Sequence, residues 1–198
     1  MNLPNKLTVM RICLVPILLV FLIFPLLNET ATRIIAFVLF AVASYTDHLD
    51  GKIARERNLV TDFGKFLDPV ADKLLIIGSL IGILCLNQRF GAPILLNRVI
   101  AASLFLVVFR ELAITSLRMV IADKQSKVMA ANSLGKIKTV TQIVCLLVLL
   151  AEPILLGRTP IGDRYLFSYL TLAAMALMTL ISGIAYCKAY FPLLDPKK

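Results

Sequence analysis

Four aspartates stand close together in this sequence, two at the end of one apolar segment and two at the start of the next: Asp47, Asp50, Asp68 and Asp72. The first two are three residues apart and the last two are four apart, so in helices each pair shares one face. Placing carboxylates in apolar segments costs free energy, and the carboxylates also repel one another, so the sequence predicts that a positively charged group binds them. Hard divalent cations prefer all-oxygen ligands. We therefore expect these acids to bind one or two Mg²⁺ or Mn²⁺ ions, an arrangement suited to phosphoryl chemistry.

Small residues accompany the acids. Gly51 and Ala54 each lie one helical turn after an acid of the first pair, and they leave a flat strip beside the carboxylates. A planar base or a ribose could approach the backbone along this strip, and Gly64 could serve in the same way before the second pair. Arg55 could bind a ligand phosphate or a partner carboxylate, and Asp62 either caps a helix or contacts a ribose. Close helix packing is the alternative explanation for Gly51 and Ala54.

A second group of polar residues is basic. Arg110 and Arg118 are eight residues apart and lie near the same helix face, while Lys136 and Lys138 open the next apolar segment. Arg110 lies too deep in its segment to be explained by membrane topology alone. We expect these four cations to bind a dianionic phosphate, with Glu111 orienting one of them.

Polar residues also occur near the N-terminus. We predict a short amphipathic helix there, on which Asn5 and Thr8 could act as caps and Arg11 could bind a lipid phosphate. Glu152, near the end of a later apolar segment, is predicted to be a solvated helix end.

The composition indicates the elements that position these residues. Of the 198 residues, 59% are hydrophobic and only 17% are charged, and the mean hydropathy is +0.88. A soluble domain has about 45–50% apolar residues, so the composition excludes an ordinary soluble protein and intrinsic disorder. The net charge of +9 indicates anionic membrane lipid and phosphorylated substrates as partners, and no nucleic acid. The four cysteines lie scattered in apolar segments and are predicted to be inert thiols.

Six apolar segments, each of about 20 residues, are long enough to cross a membrane as helices. We expect one all-α integral membrane domain over residues 1–198, with spans near 7–27, 34–54, 66–86, 94–122, 139–156 and 165–187. Six spans place both termini on one side, and most of the 21 Lys and Arg residues fall on that side. The positive-inside rule therefore predicts that both termini and the aspartate site face the cytoplasm, in a multi-pass protein of the cytoplasmic membrane.

The spacing of the acids and small residues resembles the signature of the CDP-alcohol phosphotransferase family, in the form Asp47-x2-Asp50-Gly51-x2-Ala54-Arg55-x8-Gly64-x3-Asp68-x3-Asp72. Further segments resemble the branch that makes phosphatidylglycerophosphate. They are Pro4-Asn5-x-Leu7-Thr8-x2-Arg11, Arg110-Glu111 with Ser116-Leu117-Arg118, and Gly135-Lys136-x-Lys138-Thr139-x2-Gln142. The resemblance covers nearly the whole chain and becomes weaker after about residue 150.

The resemblance implies a six-helix homodimer with a cytoplasm-facing metal site. It implies that a phosphatidyl group passes from CDP-diacylglycerol to sn-glycerol 3-phosphate, that the four aspartates hold the metal, and that Asp72 is the general base with Asp68 beside it. The residues expected to bind CDP-diacylglycerol are Asn5, Thr8, Asp50, Gly51, Ala54, Arg55, Asp62 and Gly64. Those expected to bind sn-glycerol 3-phosphate are Arg110, Arg118, Lys136 and Lys138.

Two alternatives remain open at this stage. A sister phosphatidyltransferase would use another acceptor, such as phosphatidylglycerol in a cardiolipin synthase, serine or inositol phosphate, although the basic cluster disfavours uncharged and zwitterionic acceptors. A transporter of divalent cations, or one coupled to protons, could also use four acids. Such a transporter would not need small residues beside the acids, and it would release no CMP.

Overall fold

Six long helices make up the described part of the chain. The computed structural model describes residues 2–56, 61–124, 133–157 and 165–190, and these ranges contain no strand. The helices are α1 (Leu3–Ile23), α2 (Glu29–Glu56), α3 (Asp62–Arg89), α4 (Ile94–Lys124), α5 (Ser133–Leu156) and α6 (Leu166–Tyr190). Each is long and apolar enough to cross a membrane. The predicted all-α, six-span membrane fold is confirmed.

The first helix differs from the prediction at both ends. It begins at Leu3 and runs without interruption to Ile23, so the predicted separate N-terminal helix is wrong. Pro4 does not delay the start, because a proline in the first turn lacks only an N–H that would have no helical partner. The helix stops before residue 27, the predicted end, because Phe24 precedes Pro25 and the residue before a proline is driven out of the α conformation.

The helices pack as two groups of three. Helix α1 contacts α2 and α3, whereas α6 contacts α4 and α5, and the two groups meet where α5 contacts α2 and α3 and where α3 contacts α4. A glycine allows α1 and α3 to approach closely, since a Cβ on Gly82 would lie 2.6 Å from Leu22 Cδ1. This close approach joins the last turns of α1 to the second half of α3, while a hydrogen bond from Thr61 to Asn5 joins the starts of the two helices.

Apolar residues fill the bundle and also cover its outside. Leu18, Phe40 and Leu80 are among the fully buried core side chains, while Phe105 and Leu155 are more than 70% exposed. Large apolar side chains point outward from every helix. Contiguous apolar surface of this extent is not stable in water, so lipid must cover it.

At the end of the bundle away from the four aspartates, Arg33 joins three helices. Its guanidinium is 1% exposed and donates to Glu29 Oε1 at 2.8 Å, to Asn87 Oδ1 at 2.9 Å and to the Leu149 carbonyl at 3.3 Å. Because every nitrogen of the guanidinium has an acceptor, this buried charge fixes α2, α3 and α5 relative to one another. We call this the far end of the bundle.

Glu152 lies at the far end, where it caps a helix and is not exposed to solvent. It is 3% exposed, and its carboxylate accepts hydrogen bonds from the Phe167 and Ser168 N–H groups and from Ser168 Oγ. These two N–H groups belong to the first turn of α6, where backbone donors have no helical partner. The prediction of a solvated glutamate is therefore wrong.

Candidate active site

Side chains from all six helices meet at the end of the bundle that carries the aspartates, here called the site end. Five contacts define it, namely Arg11–Asp47, Thr8–Asp68, Lys73–Thr115, Glu111–Lys138 and Arg118–Tyr186. The predicted acidic and basic groups, which lie far apart in the sequence, therefore occupy the same end of the fold.

One face of α1 holds an acid from each predicted pair. Thr8 and Arg11 lie three residues apart on this face and are 1% and 0% exposed. The Arg11 guanidinium forms an ion pair with the Asp47 carboxylate, and Thr8 Oγ1 donates a hydrogen bond of 2.8 Å to Asp68 Oδ1. Helix α1 therefore sets the relative positions of the acidic ends of α2 and α3.

Two predictions for the N-terminus are wrong. Arg11 contacts an aspartate, whereas the prediction gave it a lipid phosphate. Neither Asn5 nor Thr8 caps α1, because the N-cap residue is Asn2. Both side chains instead point into the protein, where they are buried.

Thr61 caps α3 and ties it to α1. Its Oγ1 accepts a hydrogen bond of 3.1 Å from the Gly64 N–H and donates one of 3.0 Å to Asn5 Oδ1. A Cβ on Gly64 would lie 3.1 Å from the same Asn5 oxygen, so glycine is what allows this approach. The capping role predicted for Asp62 belongs to Thr61, a residue that the sequence analysis missed although threonine before a helix is a common N-cap.

Asp72 faces a cavity between α3, α4 and α5. The cavity is lined by Asp72, Lys73, Ile76, Ile77, Val107, Glu111, Lys138 and Gln142. Asp72 is also close enough to Asp47 and Arg11 for their charges to interact. It therefore stands between the acidic group on α2 and α3 and the basic group on α4 and α5.

Glu111 connects two of the predicted phosphate-binding cations. Its Oε1 accepts hydrogen bonds from Arg110 Nη1 at 2.9 Å and from Lys138 Nζ at 2.5 Å. The three side chains are 12%, 10% and 6% exposed. Glu111 thus contacts two cations where the sequence predicted one, and the shared carboxylate compensates part of their buried charge.

Tyr186 of α6 holds the two arginines of α4 on one face. Arg118 Nη2 donates to its hydroxyl at 2.8 Å, and the guanidinium carbons of Arg118 and Arg110 lie 5.0 and 5.5 Å from the ring centroid. The eight-residue spacing had predicted the shared face, but no sequence pattern indicated the tyrosine. Lys136 is exposed, and no contact within the described ranges joins it to this cluster.

The acids present fit a hard divalent cation. Asp47, Asp68 and Asp72 offer only carboxylate oxygens, and Asp47 already faces a cationic group, the guanidinium of Arg11. Among the described side chains no three acids, histidines or cysteines lie close enough to form a complete metal site. The side chain of Asp50, the fourth predicted ligand, lies outside the described part of the chain.

Several predicted donor-binding side chains also lie outside the described part of the chain. They are Asp50, Ala54, Arg55 and Asp62. Gly51, on α2, is half-buried. Their binding roles, like that of Gly64, stay predictions.

Several known proteins are similar to this chain over most of its length. Residues 1–185 match the family model described as CDP-alcohol phosphatidyltransferase. The chain is 39% identical over 196 residues to a CDP-diacylglycerol–glycerol-3-phosphate 3-phosphatidyltransferase of Bacillus subtilis strain 168, with 93% of each chain covered. It is 38% identical to the enzyme of the same name from Rickettsia felis, with 96% of this chain and 97% of the relative covered. A probable phosphatidylglycerophosphate synthase of Mycobacterium tuberculosis is 34% identical, with 93% and 79% covered.

Proposed function

Because this chain belongs to the CDP-alcohol phosphatidyltransferase family, we propose that it transfers a phosphatidyl group from CDP-diacylglycerol to sn-glycerol 3-phosphate. The products are phosphatidylglycerophosphate and CMP. One observation carries the proposal: Asp72, which can accept a proton, lines the same cavity as Lys138, a member of the basic cluster of Arg110, Arg118, Lys136 and Lys138, and as Glu111, which binds Lys138. The names of the relatives support the same donor and acceptor.

The acidic group serves the donor. Asp47, Asp50, Asp68 and Asp72 would hold one or two Mg²⁺ or Mn²⁺ ions, which would neutralise the pyrophosphate and stabilise CMP as the leaving group. Thr8 and Arg11 fix the acids of two helices in place before the donor arrives. The nucleotide would lie along the small residues Gly51, Ala54 and Gly64, with Arg55, Asp62 and Asn5 around it.

The basic cluster serves the acceptor. Arg110, Arg118 and Lys138 bind the phosphate of sn-glycerol 3-phosphate, because charge-assisted donors suit a dianion. Lys136, which is exposed at the start of α5, is proposed to meet the acceptor as it enters.

The reaction is a single in-line displacement. Asp72 accepts the proton of the sn-1 hydroxyl as that oxygen attacks the phosphorus carrying diacylglycerol. The new oxygen–phosphorus bond forms while the bond to the bridging pyrophosphate oxygen breaks, and CMP leaves with that oxygen and the electron pair. No covalent enzyme intermediate is needed.

The start of α1 and the end of α6, which are the first and last helix ends that the structure describes, both lie at the site end. We propose that this end faces the cytoplasm, in agreement with the positive-inside rule, and that two copies of the chain form a homodimer. The cytoplasmic orientation would place the cavity where water-soluble glycerol phosphate can enter.

The proposal is tested with purified protein, CDP-diacylglycerol and a panel of acceptors, scored by CMP release. With sn-glycerol 3-phosphate we expect CMP release, and with phosphatidylglycerol, serine or inositol phosphate we expect none. Excess chelator should abolish the activity, and Mg²⁺ or Mn²⁺ should restore it. CMP release with phosphatidylglycerol, serine or inositol phosphate instead would assign the chain to a sister reaction. Metal flux through vesicles without any CMP release would indicate a transporter.

Substitution of the proposed base separates binding from chemistry. Asp72→Asn keeps the shape of the side chain but cannot accept the proton, so kcat should fall by at least about 100-fold while CDP-diacylglycerol still binds. Glu29→Gln at the far end is the matched control and should leave kcat unchanged. Normal turnover of Asp72→Asn with an altered metal requirement would make Asp72 a ligand only.

A further inference from the structure

Gln142 on α5 is a buried amide that the proposed mechanism does not use. The residue is 1% exposed, and its Nε2 has no hydrogen-bond partner within the described part of the chain. Buried polar groups without partners are uncommon and costly, so such a group at a cavity indicates a missing ligand. Gln142 lines the same cavity as Asp72.

The surroundings of the amide narrow the chemistry of that ligand. Gln142 lies one turn after Lys138 on the same face of α5, farther from the site end, and the adjacent cavity wall includes Ile76 and Val107. Lys138 is already bonded to Glu111. A carboxamide both donates and accepts hydrogen bonds but carries no charge, so it suits a hydroxyl group better than a phosphate.

We propose that Gln142 binds the sn-2 hydroxyl of the acceptor and thereby selects a polyol phosphate with two adjacent hydroxyl-bearing carbons. This inference rests on the proposed function. With the acceptor phosphate at the basic cluster and the sn-1 oxygen at Asp72, the remaining polar atom of glycerol phosphate is the sn-2 hydroxyl. An acceptor without that hydroxyl leaves the buried amide unpaired, which is how a site rejects an analogue that lacks a hydroxyl.

The test compares sn-glycerol 3-phosphate with 3-hydroxypropyl phosphate, which differs only in lacking that hydroxyl. The native protein should prefer glycerol phosphate by at least about tenfold in kcat/KM. Gln142→Met, which keeps the volume but not the amide, should lose activity with glycerol phosphate alone, so that the preference falls to near one. Gln88→Met makes the same chemical change on the exposed surface of α3 and should keep the native preference.

Three results would overturn the proposal. An equal loss with both acceptors in Gln142→Met would give Gln142 a merely structural role, and an unchanged preference would remove it from recognition. Equal use of both acceptors by the native protein would refute the proposal without any variant, even if Gln142→Met fails to fold. If the native protein releases no CMP with any acceptor, the proposed function itself fails, a result distinct from the first three, and the proposal fails with it.

Discussion

Replacement of Glu111 by glutamine tests how the two predicted phosphate-binding cations are held. The native carboxylate accepts hydrogen bonds from both Arg110 and Lys138. Glutamine keeps the length and one acceptor oxygen, but it removes the charge that both cations share. We expect the cations to move apart, because like charges in a largely buried site repel each other.

The size of the effect follows from the two bonds. The amide oxygen can still accept from the two cationic donors but has no negative charge, so we expect each bond to weaken by about the net contribution of one hydrogen bond, about 1–1.5 kcal/mol. For both bonds the loss is about 2–3 kcal/mol, which corresponds to roughly 30- to 150-fold. Glu111→Gln should therefore lower kcat/KM for sn-glycerol 3-phosphate by roughly that factor, with little change in KM for CDP-diacylglycerol.

The assay is CMP release at varied acceptor and saturating donor, for Glu111→Gln, Lys138→Met and the double variant. If Glu111 acts by positioning Lys138, the double variant should be scarcely worse than the worse single variant. The opposite result is equally clear. A lower KM for glycerol phosphate in Glu111→Gln would mean that the carboxylate competes with the acceptor for these cations, and the positioning argument would be wrong.

Four further substitutions probe other parts of the fold. Gly64→Ala should raise KM for CDP-diacylglycerol several-fold in donor titrations, because the new methyl group crowds Asn5 and shifts the start of α3; an unchanged KM would remove Gly64 from the donor site. Arg118→Ala should raise KM for glycerol phosphate by about ten- to a hundredfold. Tyr186→Phe, which removes only the hydroxyl that Arg118 contacts, should raise the same KM by less. An equal rise in KM for CDP-diacylglycerol would mean that these cations attract both substrates and do not form a separate acceptor site. Glu152→Ala should lower the thermal unfolding temperature in detergent, because three donors at the start of α6 lose their acceptor, while kcat below that temperature stays native; an unchanged unfolding temperature would contradict the capping role.

Hydropathy and spacing predicted the elements that depend on local pattern. Six apolar segments became six helices, and the eight-residue spacing of Arg110 and Arg118 placed both beside one ring. Helix ends were less predictable where a charged residue extends a helix beyond its apolar part. Helix α3, predicted from residue 66, begins at Asp62 because the Thr61 side chain caps it by accepting a hydrogen bond from the Gly64 N–H in its first turn.

The misplaced residues share a different cause. Thr8, Arg11 and Glu152 are polar residues near segment ends, and the sequence pattern there is the same for a solvated residue as for one that turns inward. Only the packing of α1 against α2 and α3 places Arg11 beside Asp47. Likewise only the proximity of α5 to the start of α6 makes Glu152 a cap.

The arrangement of charge explains how a small membrane bundle can bring two anionic substrates together. A donor pyrophosphate and an acceptor phosphate repel each other, so each needs its own counter-charge before they can approach. In this fold the acids that would hold the metal lie on α2 and α3, and the basic cluster lies on α4 and α5. Each group also contains one internal compensating charge, Arg11 among the acids and Glu111 among the cations, which lowers the cost of burying the others before substrate binds. Asp72 lies on the cavity between the two groups. It is therefore placed where the incoming hydroxyl must lose its proton, at the boundary between the two neutralised anions.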